Sequence, residues 1–211
     1  ANGKVSRDDA PAPNVFVFIS PDANERKYLC EILKLDEHTL NSALDPDEQA
    51  RLEFEPEHVA MIFKRPKNYS AEELFVFRVA STGLFLFSDK LVVVMSDEVP
   101  LFEGKPYTRV ASLNDLVLKI VSSSIGHFVG HLKVINSVSE SLEDQINTSM
   151  HNRYLLNLFS LEKSLVYYLN AISSNARLNE RRKKRSTKIG FTPENIELID
   201  VRTPAEFQEV H

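Results

Sequence analysis

Residues 84–95 read Leu-Phe-Leu-Phe-Ser-Asp-Lys-Leu-Val-Val-Val-Met, two short apolar segments joined by three polar residues. Short strands with such a tight polar connection form the hairpins of an antiparallel or mixed sheet. Both segments are apolar at every position, so both faces of their sheet need cover. The stretch therefore predicts an α+β fold in which helices lie on both sides of a sheet.

The sequence before this hairpin supplies more strands and the first helices. Further strands are predicted, from β-branched and aromatic runs bounded by turn signals, at residues 15–19, 52–54, 58–64 and 74–79. A helix is predicted from Asp22, where apolar residues recur at helical spacing, and a second over residues 37–44. Pro46 disfavours helical geometry at the residue before it, so the second helix is expected to end there.

After residue 112 the pattern is helical for roughly 70 residues, with no proline and a single break near residues 147–152. About 35 helical residues span on the order of 50 Å, which is longer than the sheet is wide. An apolar stripe on helices that project this far needs partners, so oligomerisation is expected. We therefore predict a three-layer α/β/α sandwich at residues 14–111, followed at residues 112–211 by a long helical hairpin or stalk that packs on it.

Composition excludes several classes of protein. With 43% apolar and 26% charged residues, the 211-residue chain is neither disordered nor a disulfide framework. No apolar run approaches the roughly 18 to 20 residues of a membrane-spanning helix, and the start of the chain does not resemble a signal peptide. Cys30 is the single cysteine. A soluble protein of the reducing cytoplasm is the expectation.

The distribution of charge argues against a nucleic-acid partner. Residues 1–112 hold 13 Lys/Arg against 19 Asp/Glu, and residues 113–211 hold 12 against 11. Five of these later cations form the block Arg181–Arg185, whose surroundings are acidic. A nucleic-acid protein normally carries a broader basic face. The block is typical of a solvated helix end, and its alternative role is contact with membrane phosphates or with acids of another subunit.

Few residues could carry chemistry. His127 and His131 stand four apart on a predicted helix, a spacing that can hold a transition metal, but the sequence places no third ligand, and structural histidines are the favoured interpretation. Cys30 lies in a helical run with no cation aimed at it and is interpreted as a space-filling residue. We predict no catalytic residues and no enzyme activity.

The acidic cluster of Asp45, Asp47 and Glu48 is more informative. Mg²⁺ and related hard cations choose carboxylate oxygens and retain several waters, so loosely spaced acids can suffice to bind them. A solvated acidic surface is the alternative. These three residues are the predicted ligands of a regulatory divalent cation.

Three strings resemble the cytoplasmic N-terminal domain of the CorA family of divalent-metal transporters. They are residues 40–48 (LNSALDPDE) with 51–53, residues 83–87 with 90–94, and residues 152–168 (NRYLLNLFSLEKSLVYY). The resemblance implies an α/β/α sandwich that leads into stalk helices. It implies a homopentamer on the cytoplasmic side of the inner membrane, in which Mg²⁺ between neighbouring domains holds the pore closed. The expected function is therefore metal sensing, with copies of the chain and the membrane as partners.

Two departures from the family accompany this resemblance. The membrane helices and the Gly-Met-Asn motif of the pore are absent from the chain, and Ser42 stands where many relatives carry an acid for the metal between subunits. Residues 197–211 resemble the early strand and turn of rhodanese-type sulfurtransferases but lack the catalytic cysteine loop. The alternatives are a self-contained metal-binding or helical adaptor protein and, more remotely, a rhodanese-like fragment.

Overall fold

The computed structural model describes residues 13–67, 76–148 and 151–186, with side chains as far as Leu178. This part of the chain forms a sheet of five strands in the order β1-β5-β4-β3-β2. Strand β1 runs parallel to β5, and the other neighbours are antiparallel. The strands are β1 (Val15–Ile19), β2 (Arg51–Phe54), β3 (His58–Pro66), β4 (Val79–Phe87) and β5 (Leu91–Met95).

Two short helices follow β1, and two long helices follow β5. They are α1 (Ala23–Glu31), α2 (Glu37–Leu44), α3 (Leu113–Thr148) and α4 (Asn152–Ser186), with one 3-10 turn at Lys105–Thr108 before α3. No described helix has a stretch both long and apolar enough to cross a bilayer. The predicted bounds of β1 and α2 are confirmed, and so is the break between the two long helices.

Local signals explain where the short helices begin and end. Asp22 and Glu25 form a reciprocal capping box at the start of α1: the Asp22 carboxylate accepts from Glu25 N–H, and the Glu25 carboxylate accepts from Asp22 N–H. The Asp36 carboxylate caps α2 through Thr39 N–H at 2.9 Å. At the other end of α2, Asp45 adopts extended geometry, as a residue before proline should.

The sheet is buried on both faces, which confirms the three-layer α+β fold. The face covered by α1 and α2 carries a core that includes Phe18, Leu29, Leu40, Ile62, Phe85 and Val92. The face covered by α3 and α4 carries a second core that includes Val17, Phe63, Leu84, Val93, Leu116 and Ile120. Successive residues of β5 therefore serve opposite cores, which is why this strand is apolar throughout.

Helix α2 lies unusually close to the sheet because β4 has a glycine at the point of contact. A Cβ atom built on Gly83 would lie 2.6 Å from the Ala43 Cβ of α2. Only a residue without a side chain fits this approach. The small residues at positions 43 and 83 thus fix the distance between the first two layers.

Residues 76–78 correct one prediction about the sheet. The strand expected at 74–79 is wrong over Val76–Arg78, which have no strand geometry, and β4 is instead one strand from Val79 to Phe87. The backbone N–H of Phe77 donates to the Ser164 hydroxyl of α4 at 3.1 Å. The Phe77 ring packs edge-on against Tyr168 of the same helix. An apolar run that was expected to pair in the sheet is therefore engaged by a long helix.

The long helices form a hairpin that shares its core with the sheet at one end. Away from the sheet, the two helices pack through Phe128, Ile135, Leu142, Leu161 and Tyr168. Near the sheet, Leu116 of α3 and Leu178 of α4 belong to the same buried cluster as the strands. The division of the chain into two units at residue 112 remains a prediction. Residues 74–75 and 197–211 and the side chains of Arg181–Arg185 lie outside the described part.

Candidate functional site

The predicted metal ligands lie in the turn between α2 and β2, residues 45–50, which we call the acidic turn. Asp45 ends α2, and one of its carboxylate oxygens accepts a hydrogen bond from Asp47 N–H at 2.8 Å. Asp45 and Asp47 are exposed, and neither forms an ion pair with a described residue. Their carboxylates therefore remain available to a cation from solvent.

Glu48, the third predicted ligand, has partners within the chain. Its carboxylate pairs with the Arg51 guanidinium at 2.9 Å, and its other oxygen lies 3.1 Å from the Ser42 hydroxyl. Burial alone would raise the pKa of Glu48, but hydrogen bonds from Gln49 N–H and Ser42 and the charge of Arg51 lower it below its ordinary value. Glu48 is thus ionised, and the positive charge of Arg51 already balances its negative charge. The Glu48 carboxylate therefore lies beside Ser42, the position at which this chain has a serine in place of an acid.

A buried lysine lies beneath this turn. The Lys64 side chain, from β3, is 5% exposed, and its ammonium donates to the Pro46 carbonyl at 2.6 Å and to the Ser81 hydroxyl at 2.9 Å. Burial lowers the pKa of Lys64, while the negative charges of Asp45, Asp47 and Glu48 act in the opposite direction. The turn is therefore held against the sheet by a cation that belongs to the chain.

Sequence reasoning missed Lys64. One signal was available in the sequence, because Lys64 follows directly on an apolar strand. A lysine in such a place is either exposed or, if buried, held by polar partners, since a lysine is almost never fully buried without them. Its partners come from residues 18 and 17 positions away, which no local pattern reveals. The role of Lys64 in holding the turn follows only from the fold.

The same region is hydrogen-bonded to α4. The Asn175 side chain accepts from Lys64 N–H at 2.8 Å and donates to the Lys64 carbonyl at 2.7 Å. Pairing of β2 with β3 reaches only Ile62, so Asn175 serves backbone groups that lie just beyond the end of β2. The Ser174 hydroxyl accepts from Ala50 N–H at 2.8 Å. Two adjacent side chains of α4 thus contact both the sheet and the acidic turn.

Within the described part of the chain, no three histidine, cysteine, aspartate or glutamate side chains are grouped closely enough to hold a metal ion. Asp45 and Asp47 supply oxygen ligands of the type that Mg²⁺ prefers, but they need further donors. The assignment of Asp45, Asp47 and Glu48 to a metal therefore stays a prediction.

The two histidines of α3 take part in helix packing. His131 Nδ1 lies 2.7 Å from the Tyr168 hydroxyl oxygen, and the two rings stack at an interplanar angle of 13°. The His127 ring meets His131 edge-on at 4.4 Å. Burial lowers the pKa of both imidazoles and raises that of the Tyr168 phenol. These groups are neutral near pH 7, and His131 and Tyr168 join α3 to α4, in keeping with the structural interpretation.

Cys30 lies half-buried on α1, against the core between α1, α2 and the sheet. Burial raises the pKa of its thiol, and the charges of Glu37 and Asp36 raise it further. A thiol held in its protonated form is a poor nucleophile. The geometry agrees with a packing role for this residue.

Comparison with known proteins places this geometry in a family. The profile described as CorA-like Mg2+ transporter protein matches residues 15–206. No curated protein is similar enough in sequence to match.

Three solved structures share the fold. The soluble domain of CorA from Methanocaldococcus jannaschii is 19% identical with a TM-score of 0.64, over 82% of this chain and 69% of that one. The complete CorA magnesium transporter from the same organism is 17% identical with a TM-score of 0.60, over 85% of this chain and 56% of its own length.

The third structure is the ZntB cytoplasmic domain from Vibrio parahaemolyticus RIMD 2210633. It is 15% identical with a TM-score of 0.55, over 84% of this chain and 74% of that one. At such identities the structural likeness establishes the fold, and the profile establishes the relationship. This chain belongs to the CorA-like Mg2+ transporter family.

Proposed function

We propose that this chain is the cytoplasmic regulatory region of a divalent-cation transporter, and that it senses Mg²⁺ or a related ion. In this role it acts at the cytoplasmic face of the inner membrane, beneath a pore formed by membrane helices. Because the family is one of transporters, we propose that the chain has no catalytic activity. The observation that carries the proposal is the hydrogen-bonded link between the acidic turn and α4.

The turn fits a weak, regulatory cation site. Asp45 and Asp47 present exposed carboxylates that form no ion pair within the described chain. Mg²⁺ usually keeps several waters and takes one or two carboxylates from a protein. A carboxylate from a second copy of the chain would complete such a site and place the ion between subunits. Glu48 would then act mainly by holding Arg51 and the turn in place.

Movement of the turn would reach α4 through short polar contacts. Ala50 N–H is bound by Ser174, and the backbone of Lys64 is bound by Asn175. A cation that bridges carboxylates of two subunits cancels their repulsion, and its loss favours a looser assembly. Helix α4 is long enough to carry that change away from the sheet, since 35 residues extend about 50 Å.

Exposed apolar side chains on α4 support assembly with other helices. Leu156, Phe159 and Leu169 are 64%, 62% and 65% exposed, and Leu155 and Val166 lie near them on the helix. A stripe of this kind is stable when another helix covers it. We propose that copies of the chain, in a homopentamer when the membrane helices are present, supply that cover.

The test is a magnesium titration of the 211-residue chain, with thermal unfolding and oligomer mass as readouts. Binding to the folded form alone raises the melting temperature in proportion to the logarithm of ligand concentration. We expect millimolar Mg²⁺ to raise the melting temperature, to increase the mass, or both. In the double variant Asp45→Asn/Asp47→Asn this response should be lost or weakened.

A variant with the same change of charge provides the control. Glu98 and Glu103 are exposed and form no ion pair with a described residue, so Glu98→Gln/Glu103→Gln should respond to Mg²⁺ like the parent. No change in either readout for the parent chain would count against a sensor. A response that is equal in all three proteins would remove Asp45 and Asp47 from the proposed site.

A further inference from the structure

A cavity of about 430 Å³ lies between α4, residues 76–79 and the acidic turn. Its volume falls in the range of small-molecule sites, which is roughly 300–1,000 Å³. Pro46, whose carbonyl accepts a hydrogen bond from Lys64, lines the cavity, whereas Lys64 and Ser81 do not. It brings together side chains that are far apart in sequence.

Among the described residues that line the cavity, positive groups outnumber negative ones. Lys163 of α4 and Arg78 contribute two cations, and Asp47 of the acidic turn contributes one carboxylate. Lys163 is exposed and has no hydrogen bond or ion pair with the described residues. An unpaired lysine beside an arginine forms a site that favours a ligand of more than one negative charge.

The remaining walls are apolar and aromatic. Phe77 is almost fully buried, while the Tyr167 ring is 48% exposed at the edge of the cavity. Val76 and Val79 add aliphatic surface on the side of the sheet. An exposed aromatic ring beside two cations is a combination that accommodates a planar base attached to an anionic group.

We propose that this cavity binds a nucleoside polyphosphate as its magnesium complex. Lys163 and Arg78 neutralise the phosphates, Tyr167 contacts the base, and Asp47 supplies a carboxylate to the metal. Mg²⁺ is commonly held in this way, by one or two carboxylates together with the phosphates of the ligand. The metal contact rests on the proposed function of the acidic turn, whereas the phosphate contacts do not.

The experiment measures binding of ATP to the 211-residue chain by isothermal titration calorimetry, with and without MgCl₂. We expect binding that Mg²⁺ strengthens. Lys163→Met should weaken it about tenfold or more, because a charge-assisted contact is lost. The matched control is Lys133→Met, which removes an exposed, unpaired lysine from α3 and should bind like the parent. Asp47→Asn should reduce the strengthening by Mg²⁺, and it should tighten binding of metal-free ATP, because a carboxylate that repels the phosphates is removed.

Separate outcomes distinguish this inference from the proposed function. Absence of ATP binding at millimolar concentration, or equal affinities of Lys163→Met and the parent, would overturn the inference, even if Mg²⁺ alone stabilises the chain. Pyrophosphate that binds as tightly as ATP would overturn the assignment of a nucleoside. ATP binding that depends on Lys163 in a chain insensitive to Mg²⁺ alone would support the cavity and count against the sensor.

Discussion

Replacing Asn175 by alanine should weaken the attachment of α4 to the sheet at the point where it meets the acidic turn. The Asn175 amide makes two hydrogen bonds to the backbone of Lys64, at 2.8 and 2.7 Å. In the variant, the Lys64 carbonyl would still accept a hydrogen bond from the Ser124 hydroxyl of α3, at 3.2 Å. The Lys64 N–H would lose the partner that lies beyond the end of β2.

The expected loss follows from these contacts. An N–H group left without a partner in a partly buried place costs about 1–3 kcal/mol. Alanine is better than asparagine inside a helix, which returns roughly 0.5 kcal/mol. We therefore expect the free energy of unfolding to fall by about 1–2 kcal/mol and the melting temperature to fall by about 2–8 °C for a chain of this length.

The assay is urea unfolding followed by circular dichroism, with thermal unfolding alongside. Asn170→Ala is the matched control, because Asn170 lies exposed on the same helix without a described side-chain partner. The control carries only the gain in helix propensity and should be as stable as the parent or slightly more so. Equal stability of Asn170→Ala and Asn175→Ala would refute the argument that Asn175 joins α4 to the sheet.

Three further changes test the packing of the fold. Gly83→Ala should destabilise the chain by about 1–3 kcal/mol in urea unfolding, because its Cβ would meet Ala43 at 2.6 Å; unchanged stability would contradict the close approach of α2. Burial lowers the pKa of His127 and His131, so the unfolded chain binds more protons, and stability should be full above pH 6.5 and fall as the pH drops below it. The urea midpoint of unfolding should change less over this pH range in the double variant His127→Gln/His131→Gln than in the parent. If the midpoint changes equally in both proteins, the two histidines do not cause the loss of stability at low pH. The raised pKa of Cys30 should make its reaction with iodoacetamide slower than that of free cysteine until the chain unfolds, and equal rates would contradict the buried thiol.

Local chemistry made much of the fold predictable. The capping residues Asp22 and Asp36 and the proline at position 46 act within a few positions, so the helices they bound were visible in the sequence. Strand β5 is apolar at every position, which likewise indicates that both faces of the sheet are covered. The parallel pairing of β1 with β5 has no such local signal, because it joins residues 76 positions apart.

The candidate site was only partly predictable for the same reason. The acids at positions 45, 47 and 48 are neighbours in sequence and were found together. The contact of Lys64 with Pro46 and the contact of Phe77 with Ser164 depend on how the turn, the sheet and α4 are packed. An apolar run such as residues 76–78 has the composition of a strand, but its backbone is shared: Phe77 N–H donates to Ser164 of α4, and the Arg78 carbonyl accepts from Lys67 N–H.

Lys64 shows why the acidic turn and α4 respond as one unit in the proposed mechanism. Its side chain binds the turn through Pro46, while its backbone binds α4 through Asn175. A divalent ion at the turn would add positive charge near an ammonium whose pKa burial already lowers. Repulsion between the two cations would oppose the Lys64 contact, and a shift of this β3 residue would act on the Asn175 amide that is hydrogen-bonded to its backbone. In the proposed mechanism, cation binding at the turn and the position of α4 would be linked through Lys64 and through the contact of Ala50 with Ser174, with no need for a metal ligand on the helix itself.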